Sequence, residues 1–443
     1  MRILVDQSGY DLLNIGDVAM LRSCVIRLRQ LWPGAEIMVI SHAPERLARY
    51  CPGAIAIGQT YADLPFVRRL PRGPRLIFEQ AWKSTAPYLS RRLDLGRMLP
   101  GSSGRPGRAG RMQPGSSGRP RRAGRPRTAI QAVRAADLVV ASGGGYVTDT
   151  WWWHAAGVLS LLSLAQRLGK PTAMFGQGIG PISHRALRAQ ARRVLPRLAV
   201  LGLREDRIGR DLALSFGIPA AAVMVTGDDA LELIAETTAA DGHALGVNMR
   251  VSGYAGVDPA AAAAIGGLLL DSARAFQAPV VALPVSRYAV DADLDAIRAL
   301  LRAGPGDADI VLRDLTTPEA LVTAAASCRA IVTGSYHAAV FGLAQGVPAV
   351  CLTKSSYYDA KFAGLRALFP GICSVVSLDQ PDCAARLRLA VHEAWHLPAA
   401  TRAAARDAAA RQRHAGRDAY RLFRAAVDKS PAMVTADVRG LTA

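Results

Sequence analysis

A chain of 443 residues is longer than one hydrophobic core usually organises, and two domains are the natural reading. Half of the residues are hydrophobic and 20% are charged, which excludes a chain that is disordered throughout. The formal charge of +19 would suit a nucleic-acid partner, but nine arginines and no acidic residue fall between positions 97 and 127; with the excess so localised, no nucleic-acid partner is expected, and the moderate remainder suits an anionic small substrate.

From the amino end, short β-rich runs alternate with amphipathic helical stretches, which predicts parallel sheets assembled from βαβ units. Strands are predicted over 2–6, 36–41, 137–141, 171–175, 200–203 and 223–226, with helices between them such as 17–31 and 155–168. Residues 97–110 (RMLPGSSGRPGRAG) and 111–124 (RMQPGSSGRPRRAG) form a 14-residue tandem repeat. Its Gly, Pro, Ser and Arg content leaves almost nothing to bury, so 97–127 reads as a disordered insertion, a solvated spacer without chemistry of its own. A second series begins after 237–244, which is taken as a domain boundary. Its strands, 245–249, 279–283, 309–312, 330–333 and 349–352, alternate with helices 260–275, 291–301, 318–326 and 336–345, and a last helix, 399–427, is free to pack on either half. The chain thereby divides into an N-terminal Rossmann-like domain (1–240), a C-terminal Rossmann-like domain (241–398) and a C-terminal helix and tail (399–443). The expected architecture is α/β, two Rossmann-like domains facing a cleft, with ligands at the carboxyl ends of the strands.

Several turns at such strand ends carry residues suited to chemistry. After the first strand, Asn14-Ile15-Gly16-Asp17 opens a helix whose N-terminal amides favour an anion, although Asn14 and Asp17 are also ordinary capping residues. Ser142-Gly143-Gly144-Gly145 follows the strand 137–141 and lets backbone N–H groups approach a ligand closely. The tryptophans of Trp151-Trp152-Trp153-His154 would stack on a sugar or pack the core. Gly176-Gln177-Gly178-Ile179-Gly180-Pro181 is expected as a third turn on the same sheet edge. None of these matches a dinucleotide fingerprint, so no NAD site is inferred. Arg204 and Gly227-Asp228-Asp229 lie at the next two strand ends, where an Arg can fork onto a carboxylate or phosphate and an Asp can act as a base or cap a helix. In the second half, Thr333-Gly334-Ser335-Tyr336-His337 places an imidazole in a first helical turn at the crevice, with Arg250 and Lys354 as cations on the same rim.

The six cysteines are scattered without metal-ligand spacing and read as reduced thiols; no metal and no cofactor are expected. The amino end lacks a signal-like apolar run and no stretch is long enough to span a bilayer, so a cytoplasmic protein is expected, with loose membrane-surface attachment left open.

Taken in order, Asn14 to Asp17, Ser142 to Gly145, Gly176 to Pro181, Arg204, Gly227-Asp228 and the segment from Gly334 to Gly346-Val347-Pro348 resemble the polysaccharide pyruvyl transferase family, over about residues 2–370 outside the Arg-rich insertion. The resemblance implies a GT-B-like fold and transfer of a pyruvyl group from phosphoenolpyruvate to two hydroxyls of a sugar, forming a ketal on a polysaccharide or glycan precursor. A lipid-linked acceptor at the inner face of the membrane would fit that implication. By position, His337 matches the family's motif histidine, a general acid that would protonate the donor's methylene carbon. Asp17 joins it as a catalytic candidate. Arg204 and Arg250 would hold the donor's charges, with Asn14, Gly16, Ser142, Gly143, Gly144, Gly145, Gln177, Gly178, Asp228, Ser335, Tyr336 and Lys354 as further substrate-binding candidates. Many members carry an Arg two residues before this His, where this chain has Ser335, so Arg250 or Lys354 would have to supply that charge. Two other readings stand beside this one: a GT-B glycosyltransferase holding a nucleotide-sugar at the second-domain rim, and a non-catalytic carbohydrate or nucleic-acid binding protein using the Arg-rich repeat.

Overall fold

The structure, a computed structural model, describes residues 1–58, 128–234, 242–250, 259–289, 292–302 and 309–429. The Arg-rich repeat and most of the expected boundary at 237–244 lie outside the described residues.

Two parallel sheets organise the chain. The first contains β1 (Arg2–Asp6), β2 (Glu36–Ile40), β3 (Ile55–Ile57), β4 (Leu138–Ala141), β5 (Gly144–Val147), β6 (Thr172–Ile179), β7 (Val200–Leu203) and β8 (Val223–Val225). The second contains β9 (Ala244–Asn248), β10 (Val280–Ala282), β11 (Ile310–Val311), β12 (Cys328–Thr333), β13 (Ala349–Thr353) and β14 (Cys373–Ser377). Their orders are β3-β2-β1-β4-β6-β7-β8, with β5 paired to β6, and β11-β10-β9-β12-β13-β14. In both, the winding reverses beside the first strand, at β1/β4 and at β9/β12, which opens a crevice at the strand carboxyl ends. Central strands such as β4 (LVVA) and β9 (ALGVN) are buried at every position because helices cover both sheet faces.

One expected element needs correction. The chain does not turn at 176–181; β6 runs on to Ile179 because β5, itself built from Gly144 and Gly145, offers it a partner at Gln177 and Ile179. Gly176 absorbs the irregularity with φ +57, and the ladder to β7 shifts register between Met174 and Gln177. The short strands β3, β5 and β14 were not expected at all.

The halves are joined through the start of the helix Ile15–Leu31. Asn14 bridges Ser286, and the Ile15 N–H donates to the Val285 carbonyl at 2.9 Å. Ile15, Ala19 and Met20 of that helix share a core cluster with Leu283, Tyr336 and Phe341 of the second half. The final helix, Ala399–Asp428, packs on both halves: Ala405 and Ala409 enter this same cluster, while Tyr420, Phe423 and Val427 pack with Ile3, Val5 and Phe175.

A buried ionic cluster fixes the helix there. Arg27 donates to Asp229 (2.7 Å) and Glu232 (2.9 Å), Arg417 donates to Glu232 (2.9 Å), and the Tyr420 hydroxyl donates to Asp229 (3.0 Å). Removing one partner of such a cluster strands the other charges away from water. Arg27→Met is expected to cost about 3 kcal/mol or more, read as a lower urea midpoint at unchanged slope; a cost below about 1 kcal/mol would show that water replaces the guanidinium freely.

Candidate active site

A cavity of about 150 Å³ lies at the facing strand ends of the two sheets. The loop after β1 contributes Ser8, Gly9 and Tyr10, and the first helix contributes Asn14 and Asp17. Gly145, Tyr146, Trp151, Trp153, His154 and Arg204 complete the first half's share. Across from them stand Arg250, Tyr288, Ser335, Tyr336, His337, Tyr357, Tyr358 and Lys361.

His337 sits in the first turn of Tyr336–Leu343, a helix buried at every residue. Its imidazole lies directly on Gly16: a methyl group there would fall 2.0 Å from Cγ and Nδ1. Only a glycine admits the ring at that contact. Nε2 is buried without a hydrogen-bond partner and faces Asp228 Oδ2 at 3.6 Å, an oxygen that likewise makes no hydrogen bond. With Nε2 enclosed, Nδ1 is the ring nitrogen available to a ligand.

Asp228 caps the short turn Asp229–Leu233, its Oδ1 accepting from the Ala230 N–H at 2.8 Å. Burial alone would raise its pKa, but His337, Arg204 and that N–H outweigh burial and hold the carboxyl below its usual range. Arg204 lies 3.7 Å from Asp228 and 4.4 Å over the Tyr336 ring. Gly178 and Gly145 make room for it, since a methyl on either would come within 2.9 Å and 2.3 Å of the guanidinium. Arg250 donates to Asp293 at 2.9 Å, and that carboxylate also accepts from Asn248 and from the Val285 and Ser286 N–H groups, tying Arg250 to the segment after β10. The Ser335 N–H donates to Thr333 Oγ1 at 2.8 Å, while the Ser335 side chain does not cap the helix it precedes. The helix thus begins without a side-chain cap at a stretch, Ser335 to His337, that lines the cavity.

Of the residues singled out in the sequence, Asn14, Asp17, Gly145, Arg204, Arg250, Ser335, Tyr336 and His337 share the cavity wall. Asn14 lines the cavity and also caps the helix, its side chain accepting from the Gly16 and Asp17 N–H groups at 3.0 and 3.2 Å. Gly16 and Asp228 lie behind His337, and Gly178 lies behind Arg204. Ser142, Gly143, Gly144 and Gln177 are not on the wall. The Gln177 amide donates to the Tyr146 hydroxyl (2.9 Å) and the Ser142 carbonyl (2.6 Å), so it supports Tyr146 from beneath. Lys354 is not on the wall either; Lys361, about one and a half turns along the next helix (Ser356–Leu368), reaches it instead. Tyr357 and Lys361 stand at i and i+4, a spacing that puts both on one helix face. Among the described residues no three His, Cys, Asp or Glu side chains gather as a metal-ligand set.

Two Rossmann-like halves closing on a cleft at their strand ends define the GT-B architecture. The UDP-GlcNAc 2-epimerase of Neisseria meningitidis with bound UDP-GlcNAc superposes with a TM-score of 0.53, at 11% identity over 96% of this chain and 99% of that one. S. aureus MnaA with UDP gives 0.54, at 11% identity over 94% of each chain, and the UDP-GlcNAc 2-epimerase of Methanocaldococcus jannaschii gives 0.51, at 9% identity over 89% and 92%. These likenesses are of fold alone. No curated protein matches the chain. The sequence profile of the polysaccharide pyruvyl transferase family matches residues 14–356, and the chain belongs to that family, transferases whose acceptor is a glycan.

His154 makes the site's environment measurable. It stacks on Tyr10 at 5.0 Å and tilts against Tyr146 at 4.6 Å, and burial lowers its pKa to about 3. The unfolded chain takes up a proton there below about pH 6.5, whereas the folded one does not. The contribution to stability is therefore complete above pH 6.5 and is lost as pH falls toward 3, by up to about 1.4 kcal/mol per pH unit. His154→Phe is expected to flatten the dependence of stability on pH between 6 and 4 by about one proton's slope. An imidazole NMR titration placing His154 near pH 6 would contradict this.

Proposed function

We propose that the chain transfers a pyruvyl group from phosphoenolpyruvate to two hydroxyls of one sugar in a polysaccharide or glycan precursor. The observation that carries the reading is His337, seated on the cavity wall with Asp228 at its inner nitrogen and Arg204 and Arg250 on the wall beside it. An imidazolium so placed would give its Nδ1 proton to the donor's methylene carbon as one acceptor hydroxyl adds to the neighbouring carbon. That hydroxyl's proton would pass to Asp17, the carboxylate on the wall. Phosphate then leaves with the electron pair of its C–O bond and carries this proton away. The second hydroxyl adds to the same carbon, and its proton restores His337, so the products are one ketal and one inorganic phosphate.

Asp228 would stabilise the imidazolium and fix its tautomer, a role suited to a carboxyl that its neighbours keep ionised. Arg204, Arg250 and the uncapped helix amides at Tyr336 and His337 would hold the donor's carboxylate and phosphate. Trp151, Trp153 and Tyr288, on the wall, offer ring faces for the acceptor sugar. A cytoplasmic enzyme meeting lipid-linked precursors at the inner membrane face is the setting we favour; the described cysteines are all free thiols, as a reducing compartment would keep them.

Phosphoenolpyruvate incubated with the protein and a panel of methyl hexosides offering vicinal or 4,6-diols is expected to release phosphate in step with ketal formation. His337→Ala and Asp228→Asn should each lower kcat by about 10²- to 10⁴-fold with the fold intact by circular dichroism. Thermal stabilisation by nucleotide-sugars, with none by phosphoenolpyruvate, would instead favour glycosyl transfer.

A further inference from the structure

Charge on the first half is distributed unevenly between the two faces of its sheet. From residue 150 to residue 204 the sequence contains eight cations and no aspartate or glutamate. That stretch supplies the helices Trp152–Arg167 and Arg185–Val194, which with Ala129–Ala135 pack on Leu4, Val139 and Met174. Gln190 donates to the Ala156 carbonyl (2.9 Å) and Gln166 to the Val194 carbonyl (3.0 Å), so the two longer helices run side by side in the same direction. Lys170 donates to the Arg134 and Ala136 carbonyls and draws the third helix to their far end. Arg185, Arg188 and Arg192 recur at helical spacing, turned away from the buried Leu187, Ala191 and Val194. Arg134, Arg167, Arg193 and Arg197 are exposed on the same layer. Among the described residues none of these seven arginines stands at ion-pair distance from a carboxylate. Asp149, the acid that precedes them in the chain, already accepts from the Ser183 and His184 N–H groups. The opposite sheet face, Val5, Val140 and Phe175, lies under helices whose arginines are paired: Arg27 with Asp229, Arg417 with Glu232, Arg421 with Asp418 and Arg424 with Asp428. A surface of like charges without counter-charges of its own is complementary to an extended anionic one.

We propose that this face, built on the helices Ala129–Ala135, Trp152–Arg167 and Arg185–Val194, docks on the anionic surface of a phospholipid bilayer. Arginines spread over three helices can all meet a plane of negative headgroups at once. Trp152, the ring at the cavity end of the layer, is stacked on His184 at 5.7 Å and packed on the core, so it presents no bare face for a nucleic-acid base. Trp151 and Trp153 beside it stand on the cavity wall, which sets the cavity at the edge of the docked face. The inference rests on the membrane setting favoured above and adds the face that meets the membrane; it does not depend on the donor.

Co-sedimentation of the full-length protein with vesicles tests it directly. Vesicles of phosphatidylcholine with phosphatidylglycerol are expected to retain the protein, vesicles of phosphatidylcholine alone to leave it in solution, and added salt to release it. Combining Arg185→Gln, Arg192→Gln and Arg193→Gln should weaken the partition by about tenfold or more at an unchanged melting temperature. The three corresponding lysine substitutions should retain most of it, because a bilayer reads charge rather than the guanidinium fork. Wild-type partition in the glutamine variant, or an equal loss in the lysine variant, would overturn the assignment. Tighter binding to a single-stranded polynucleotide than to the anionic vesicles would overturn it in favour of a nucleic acid. If the arginines hold the protein on vesicles but phosphoenolpyruvate releases no phosphate with any diol, the docking face stands and the donor reading falls. Turnover on soluble hexosides without vesicle binding would overturn the docking face and leave the donor reading intact.

Discussion

The contact on which this site depends is the imidazole of His337, carried by the second half, lying on the bare backbone of Gly16 in the first. At 2.0 Å from where a methyl would begin, the ring tolerates no side chain beneath it. The contact therefore joins the two halves where both present strand carboxyl ends, and it ties the position of the ring to their mutual arrangement. Behind the ring, Asp228 is set by its own capping bond to Ala230. The neighbouring Asp229 points the other way, into the Arg27 and Tyr420 cluster under the final helix. Two adjacent aspartates thus serve opposite faces, one the cavity and one the clamp that brings the C-terminal helix back across the first half.

Charge is distributed to match. Arg250 is bound to Asp293, which is saturated by backbone and side-chain donors, so that arginine is fixed rather than free to sweep the cavity. Arg204 stacks on Tyr336, and Tyr336 precedes His337 in the same helical turn. The cations and the imidazole therefore share supports, and displacement of one is felt by the others.

Much of this was legible in the sequence because βαβ units announce themselves by short apolar runs between amphipathic helices, and the eleven strands expected from such runs are all present, whereas β3, β5 and β14 were missed. Strand ends were legible too, which is why Asn14, Asp17, Gly145, Arg204, Arg250, Ser335, Tyr336 and His337 converge on one cavity. The failures have local causes. Glycine-rich β5 and the second half of β6 look like turns because propensity alone disfavours glycine in strands, and pairing between two such segments overrides it. Gln177 reads as a ligand contact yet spends its amide on Tyr146 and Ser142. Lys354 stands at a strand end, where ligands are usually met, but helix geometry hands the cavity to Lys361. His154 and Tyr10 were hidden because their meeting is tertiary: nothing in their spacing announces that an imidazole will stack on a ring from a distant loop.

The central claim is that the closed halves present one imidazole to an enolpyruvate donor. A crystal structure of the protein soaked with phosphoenolpyruvate tests it most directly. The donor is expected in the cavity with its methylene carbon about 3 to 3.5 Å from His337 Nδ1 and its anionic groups on the arginines. A cavity that stays empty of phosphoenolpyruvate at millimolar soaks, yet fills with a nucleotide-sugar whose diphosphate lies along Arg250 and Ser335, would contradict it.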